Sequence, residues 1–349
     1  MDAVRKTDYP IGMNRITAKT RLIPLALLAA GMLYSPAQGG TKTSAAGFLK
    51  VPASAQSLGL GGNAVVSGSG ISGAMDNPAL LGFMKQGEFQ SSYGTHLEGY
   101  TFLNAGYGHY GESFNGGLSI TRVAASSFEG RDAQGAPTGG FSAADTAVNL
   151  SAGKSFGAFT GGVTFKYITS TIENESASAF AIDLGAVFMG DRYDLYPYKI
   201  GVSLKNLGSA MKYISKSEPL PLMASAGMAV DIGSGMEAVF NLSGNIPEQN
   251  LVCGVGMGLN VGGGLMLNGG LSRAMGVAEG GLGGLPVGVN AGFGFAMKDF
   301  GFNYGFSPMG EMGNVQRMSL TFKFGDKDGA RKFKGSIPKY SGKSGANGR

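Results

Sequence analysis

The feature that most constrains this chain is an alternation, with a period of two, between apolar side chains and small or polar ones. In its last such segment, Arg317, Ser319, Thr321 and Lys323 alternate with the apolar residues at 318, 320, 322 and 324. Successive side chains of an extended strand point to opposite faces, so this period predicts β-strands. Between 87 and 324 the pattern recurs in about fourteen segments, an even number of the kind seen in bacterial outer-membrane barrels.

The connections between these segments also differ in length in a regular way. Tight turns are predicted near 111, 155, 231 and 261, and long connections at 124–142, 208–218 and 275–285. Outer-membrane barrels combine short periplasmic turns with longer outer loops, so the spacing favours a barrel. One connection, at 189–197, departs from the rule because it is long where a turn is expected.

The two faces of the predicted strands differ as a membrane barrel requires. The segment 292–306 places its phenylalanines on one face and glycines on the other. Polar residues opposite the apolar stripes are Asn149, Asp183, Lys199, Lys205, Asn260, Asn290, Asn303 and Lys323. A strand can cross hydrocarbon only in a sheet that closes on itself. The sequence therefore predicts an all-β fold, a transmembrane antiparallel β-barrel with a short N-terminal hatch-like segment; a soluble β-sandwich is the alternative.

The ends of the chain predict export to the bacterial outer membrane. Basic residues precede an apolar run at 22–33, and small residues follow it, as in a signal peptide at 1–37 that begins with an unneeded stretch before Met13. The run is too short for a membrane-spanning helix, which needs about 20 residues. We expect a hatch-like segment at 38–86, the barrel at 87–324, and a basic, disordered periplasmic tail at 325–349.

The distribution of charge argues against a nucleic-acid partner. The whole chain has a formal net charge of +5, but residues 38–325 carry 16 basic and 19 acidic side chains. The positive excess therefore lies at the two ends, whereas a phosphate-binding surface needs clustered lysine and arginine on the folded part. The expected surroundings are outer-membrane lipid.

The side chains that support catalysis or metal binding are few. His96 and His109 are the two histidines and lie near opposite ends of a predicted hairpin. A pair at the barrel rim drawn from Ser91, His96 and Asp145 is the enzymatic alternative. The single cysteine, Cys253, shares the parity of an apolar stripe and is expected to act as a small hydrophobe. We expect no catalytic residue, no metal and no cofactor.

A glycine-rich stretch before the barrel matches a nucleotide-binding pattern only by its letters. Gly68, Gly70 and Gly73 have the G-x-G-x-x-G spacing, but no long helix follows them. Their expected role is to let the segment fold tightly inside the barrel. Asp76 and Asn77 are then predicted to cap a short turn that begins at Pro78.

Two segments resemble a known family. The first is 47–83, with matching positions at 48–50, 58–62 and 77–79; the second is 199–213, followed by a strand that starts at 220–221. They are similar to the signatures of the PorV/PorQ family and, more distantly, of the FadL family of long-chain fatty-acid channels. Gln56 and Leu80 depart from the family pattern, in which a basic residue and a glycine are expected.

The resemblance implies two alternative functions. A PorV/PorQ-like protein is a non-enzymatic scaffold or shuttle in type IX-like secretion, with secreted proteins or secretion components as partners. A FadL-like channel instead passes a hydrophobic small molecule, with 47–83 as its hatch. The implied motif residues are Asp76, Asn77, Pro78 and Ala79 in the hatch and Asn206, Leu207 and Gly208 in the barrel. The partner loops would present Phe128, Arg131, Asp132, Lys212, Tyr213 and Lys216.

The inward residues give a way to choose between the alternatives. A route for fatty acids needs an apolar pocket inside the barrel, but the inward positions that the alternation assigns are glycine, serine, asparagine and lysine. This composition favours the secretion function over the channel.

Overall fold

The computed structural model describes residues 43–325, apart from 63, 97–98, 132–133, 174, 191–196, 214–215, 276–287 and 309–312. The predicted signal peptide and the basic tail from 326 onward therefore lie outside the described residues. Within the described part of the chain, no helix combines the length and the apolar character needed to cross a membrane.

Fourteen antiparallel strands form a closed barrel, as the sequence predicted. The described residues contain sixteen strands, of which all but β8 and β9 belong to the barrel: β1 (Gly87–His96), β2 (Tyr100–His109), β3 (Asn115–Arg131), β4 (Pro137–Phe156), β5 (Phe159–Ile172), β6 (Glu175–Gly190), β7 (Tyr198–Gly208), β8 (Met211–Tyr213), β9 (Lys216–Glu218), β10 (Met223–Gly233), β11 (Met236–Asn245), β12 (Asn250–Gly262), β13 (Leu265–Met275), β14 (Gly288–Ala296), β15 (Phe300–Pro308) and β16 (Asn314–Phe324). The first and last strands pair and close the wall, while β8 and β9 form a separate two-stranded sheet between β7 and β10.

The register places the apolar stripes on the outside of the barrel. Phe293 lies beside Tyr304, and Phe295 beside Phe302, across neighbouring strands of the outer face. Phe180, on β6, is 68% exposed and stacks at a tilt on Tyr167 of β5. An outer surface that leaves such side chains uncovered suits hydrocarbon and not water, because burial of apolar area is the main favourable term in folding.

We call the end of the barrel where β1 begins and β16 ends the turn end, and the opposite end the loop end. The connections described at the turn end are short, as between β4 and β5 or between β10 and β11. The predicted exception at 189–197 also lies at this end, between Gly190 of β6 and Tyr198 of β7, with most of its residues outside the described ones.

The wall is much higher on one side than on the other. β3 has 17 residues and β4 has 20, whereas β14 and β15 have 9 each; about 9–11 tilted residues span a membrane. Outward side chains on the tall side change from the apolar Ile120 and Val148 to Arg122 and Thr146. This change marks the upper limit of the lipid-facing band, and the strands continue beyond it.

The tall side corrects one expectation from the sequence. The predicted long loop at 124–142 is mostly strand, and only residues 132–136 connect β3 to β4. Glycine, serine and alanine dominate this segment, so its weak apolar alternation looks like a loop, although pairing with the neighbouring strand orders it. Phe128 and Arg131 consequently lie in β3, and Asp132 lies outside the described residues.

The segment 43–86, which we call the plug, lies inside the barrel. It contains two short α-helices, α1 (Ala55–Gly59) and α2 (Gly70–Ala74), and two 3-10 helices, Gly47–Lys50 and Pro78–Phe83. Helix α1 packs against β13–β16, helix α2 against β1–β3, and the second 3-10 helix against β3–β6. The plug thus contacts the wall around much of its inner circumference.

Inward glycines of the wall let the plug backbone come close. A Cβ added to Gly256 would lie 2.6 Å from the carbonyl oxygen of Leu60, and one added to Gly270 would lie 2.5 Å from the nitrogen of Gly61. The same crowding is found where Gly162, Gly185 and Gly305 face the plug. Much of the high glycine content of the strands is therefore explained by a shape that leaves room for a second chain segment.

We predict that Gly256→Val destabilises the barrel by about 1–3 kcal/mol, because the new side chain forces the plug backbone away from the wall. Gly269→Val is the matched control, since a Cβ at this glycine of the adjacent strand would meet no atom within 4 Å. Thermal unfolding in detergent and protease digestion of the plug measure the effect. Equal stability and equal digestion of the two variants would contradict this account of the glycines.

Candidate functional site

The half of the barrel interior towards the loop end, which we call the outer half, is apolar. Near the loop end, inward side chains of β2–β6 form a buried cluster together with Phe48 and three alanines of the plug. The wall residues of this cluster, which we call the chamber, are Phe102, Val123, Ala147, Ile168, Ala177, Ala179 and Ala181. The inward face therefore includes apolar side chains near the loop end, and the expectation that inward positions are glycine, serine, asparagine and lysine is wrong for this part of the wall.

The sheet of β8 and β9 covers the chamber from the loop end. Met211 and Leu220, at the two sides of this small sheet, are buried in the cluster, and Tyr213 packs against it. Lys212 is exposed, and Lys216 forms an exposed ion pair with Glu218 at 2.7 Å. Three of the predicted partner-loop residues thus lie on this cover. Lys212 and Lys216 face away from the chamber, and Tyr213 faces it.

A layer of charged residues lies next to the chamber on the side of the turn end. The Nζ atom of Lys166 lies 2.6 Å from Oδ2 of Asp183, and it also donates to Oδ1 of Asn206 at 2.8 Å. Lys205 donates to the backbone oxygen of Met75 in the plug at 3.4 Å. The charges are thus paired with each other or with plug backbone, which is the usual condition for charge inside a protein.

The predicted barrel motif forms a bulge in this layer. Asn206 has φ 63°, in the left-handed region, and the register between β6 and β7 shifts at this point. Its backbone N–H donates to Asp183 at 2.7 Å, and its side chain donates to the backbone oxygen of Pro221 at 2.9 Å. Leu207 points to the outer face, and Gly208 crowds against the neighbouring strand. The motif therefore connects the wall to the start of β10.

Asp76 belongs to the same layer but comes from the plug. Its side chain is buried and bonded to Ser57, and its backbone oxygen accepts a bond from Ser203 at 3.3 Å. Burial raises the pKa of Asp76 above its ordinary value, against the opposing influence of Lys205, Arg317 and Lys166. The predicted capping role of Asp76 is wrong, because its carboxylate turns into the plug interior.

Asn77 occupies the cap position of the second 3-10 helix. Its Oδ1 accepts a bond from the N–H of Ala79 at 3.0 Å, and its Nδ2 donates to the backbone oxygen of Val65 at 2.8 Å. Pro78 and Ala79 then pass directly over Gly162, where a Cβ would collide with them. The motif residues 77–79 thus fix the path of the plug against β5 and β6.

Wall side chains bond mainly to the backbone of the plug. Asn115 donates to the carbonyl oxygens of Leu81 and Met84 at 2.9 and 3.0 Å. Asn241 accepts from the N–H of Val65 at 3.2 Å, and Glu88 accepts from that of Ile71. Because backbone groups are the same in every residue, sequence patterns within the plug give little sign of these contacts.

One contact of this kind involves a residue that sequence reasoning did not single out. Arg317, on β16, is fully buried and donates to the backbone oxygen of Pro52. Its guanidinium carbon lies 3.4 Å from the ring centre of Phe102, a cation–π contact with the wall of the chamber. The alternation did assign Arg317 to the inner face, and that parity is the only signal of its role in the sequence.

Open space lies on the turn-end side of the plug. A cavity of about 870 Å³ is lined by both wall and plug, including Phe83, Glu88, Lys199 and Glu237. Between plug and wall, beside the charged layer, a second cavity measures only about 40 Å³. The plug therefore divides a wide compartment from a closely packed outer half.

Several residues whose side chains could support catalysis or metal binding are not brought together. Ser91 faces outward on β1, whereas Asp145 faces inward on β4. Cys253 lies on the outer face and is covered by neighbouring side chains. Gly68 and Gly70 have positive φ and shape the turn before α2, where Gly70 stands against the carboxylate of Glu88. The described residues contain no group of three or more side chains suited to a metal ion.

No family model matches the chain, and no curated protein matches it. Solved structures share its fold. The Pseudomonas putida toluene transporter TodX matches with a TM-score of 0.53 and 13% identity, over 76% of this chain and 95% of its own. The monoaromatic hydrocarbon channel CymD gives 0.57 and 14%, over 80% and 99%. A Pseudomonas aeruginosa FadL homologue gives 0.50 and 10%, over 82% and 100%.

At identities of 10–14% the likeness shows a shared β-barrel fold. One of the structures that share this fold is a FadL homologue, from the more distant of the two families that the sequence resembles. The narrower PorV/PorQ resemblance stays a prediction.

The raised pKa of Asp76 predicts how stability depends on pH. A group whose pKa is higher in the folded than in the unfolded state stabilises the fold fully below its ordinary pKa, 3.8 here. That contribution is lost as pH rises through the folded value. Asp76→Asn should therefore gain thermal stability relative to the parent as the pH rises above about 4. The exposed Glu112→Gln is the control; a relative stability of Asp76→Asn that is flat or falling with pH would refute the assignment.

Proposed function

We propose that this protein is a non-enzymatic channel of the bacterial outer membrane that takes up hydrophobic small molecules. In this arrangement the turn end faces the periplasm, the loop end faces outward, and the plug closes the route. The observation that carries the proposal is the apolar chamber inside the outer half of the barrel. The structure corresponds to the closed form of such a channel.

The chamber provides a favourable place for an apolar molecule that arrives from water. Each square ångström of apolar surface removed from water contributes about 25 cal/mol, so even a small hydrocarbon gains from entry. The interior of the chamber is occupied by Phe48 of the plug, with Leu49 packed against it. A ligand therefore takes the place of plug side chains and needs no new pocket.

The path beyond the chamber leads to the wide cavity at the turn end. The charged layer and the lower plug stand between the two compartments, so movement of the plug is a requirement of transport. The apolar plug side chains Phe83 and Met84 line the cavity together with polar groups such as Lys199 and Glu237. This mixed lining suits release into a watery compartment better than retention.

The similar solved structures support the same function. Two of them are described as a toluene transporter and a monoaromatic hydrocarbon channel, and both match most of this chain over nearly their whole length. The secretion function, which the sequence favoured, depended on a polar interior and on long outer loops. The interior has the apolar chamber, and most of the loop at 124–142 is strand.

A binding experiment tests the chamber directly. The chain contains no tryptophan, so Phe48→Trp introduces a single indole at the centre of the chamber. We expect toluene to change its fluorescence with saturation, because the ligand displaces or contacts the indole. Phe156→Trp, at an exposed site on the outer face, reports partition of toluene into detergent. A Phe48→Trp signal that rises as linearly as that of the control would argue against a binding chamber.

A transport experiment tests the route. Ala147→Phe fills the chamber, and overpacking strain of about 1–3 kcal/mol should lower ligand occupancy and uptake by about tenfold. Ala226→Phe, which adds the same ring to the exposed outer face of β10, is the control. Uptake of labelled toluene is measured in cells with a lipopolysaccharide-containing outer membrane. Equal uptake by parent, Ala147→Phe and Ala226→Phe would exclude the chamber from the route.

A further inference from the structure

Arg317 is the largest side chain that is fully buried within the described residues. None of the ion pairs among those residues includes it, and two of its nitrogen atoms, Nε and Nη2, have no hydrogen-bond partner there. A buried charge that is poorly paired is costly, and inside a membrane protein it usually marks a functional position. A purely structural wall residue at this site needs no charge.

The two contacts of Arg317 join the chamber to the plug. Gly94 of β1 lies between Arg317 of β16 and Phe102 of β2 in the register. Because Gly94 has no side chain, the guanidinium reaches across this strand and covers the ring of Phe102. The same group donates to the carbonyl oxygen of Pro52. One cation therefore contacts the surface where a ligand packs and the segment that has to move.

Pro52 lies between two parts of the plug that are attached differently. The part before it reaches the loop end, where Lys50 and Ser44 bond to Glu248 and the N–H of Ala45 donates to Pro219. The part after it, from Ala55 onward, lies against the inward glycines of the wall. The upper part is thus held by a few polar contacts and by its packing in the chamber, where a ligand competes with it, whereas the lower part is enclosed on several sides.

We propose that Arg317 is a positioning residue that couples occupancy of the chamber to release of the upper plug, residues 43–53. A ligand that packs on Phe102 competes with the guanidinium for the face of the ring. When the guanidinium leaves the ring, its bond to Pro52 is lost and the upper plug separates from the chamber. The inference rests on the proposed function, since it assigns the control of the same route.

The reporter is a cysteine in the upper plug of the full-length protein in detergent. Leu49→Cys is combined with Cys253→Ala, and the rate of labelling by a charged maleimide is measured with and without toluene. We expect slow labelling in the parent background and acceleration by toluene. With Arg317→Met added, labelling should be faster by about tenfold without toluene, and toluene should add nothing further.

Three controls separate coupling from general loosening. Arg122→Met removes an exposed arginine of the outer face and should leave labelling at the parent rate. Ala64→Cys reports on the lower plug, which is buried, and its labelling should not respond to Arg317→Met. Phe102→Leu removes the ring but keeps an apolar side chain, so it should accelerate labelling of Leu49→Cys even where Arg317→Met fails to fold.

The outcomes distinguish the two proposals. Toluene binding to the Phe48→Trp variant, combined with unchanged labelling or a retained toluene response in Arg317→Met or Phe102→Leu, overturns the coupling and leaves the channel function intact. Absence of saturable binding overturns the channel function and the coupling together. Equal acceleration at Leu49→Cys and Ala64→Cys assigns Arg317 a general structural role and also overturns the coupling.

Discussion

Backbone hydrogen bonding in a solvent that offers none is the constraint on which the rest of this structure depends. Every strand of the barrel has a neighbour on both sides, and the pairing of β1 with β16 leaves no open edge in the wall. Closure permits an apolar outer face, because the polar groups of the backbone are already satisfied. It also creates an interior that has to be filled, lined or left to water, and the function depends on how that interior is used.

The interior is filled by the chain itself. The wall recognises the plug largely through backbone groups and through the absence of Cβ atoms, as at Asn115 and Gly256. Such a surface is indifferent to most plug side chains, so these are free to serve other purposes. Phe48 occupies the chamber, and Asp76 lies in the charged layer. The attachment of the plug and its chemical role are thus carried by different atoms.

The wall could be predicted from the sequence, but most of the site could not. A period of two identifies strands because every second side chain faces hydrocarbon and is therefore apolar. The inner face is not exposed to one uniform solvent, so the small residues on it can have several different roles. Ala177, Ala179 and Ala181 look like neutral spacers in the sequence, yet they line the chamber. Arg317 shows its parity in the sequence but not its partners, because those partners are a distant ring and a backbone oxygen.

The position of the plug ahead of β1 in the chain has a consequence for biogenesis. The pairing of β1 with β16 joins the first and the last of the described barrel strands in the order of translation. The barrel can therefore close only after β16 has been synthesised, and by then the plug segment that precedes β1 is already present. The plug is thus synthesised before the barrel that encloses it.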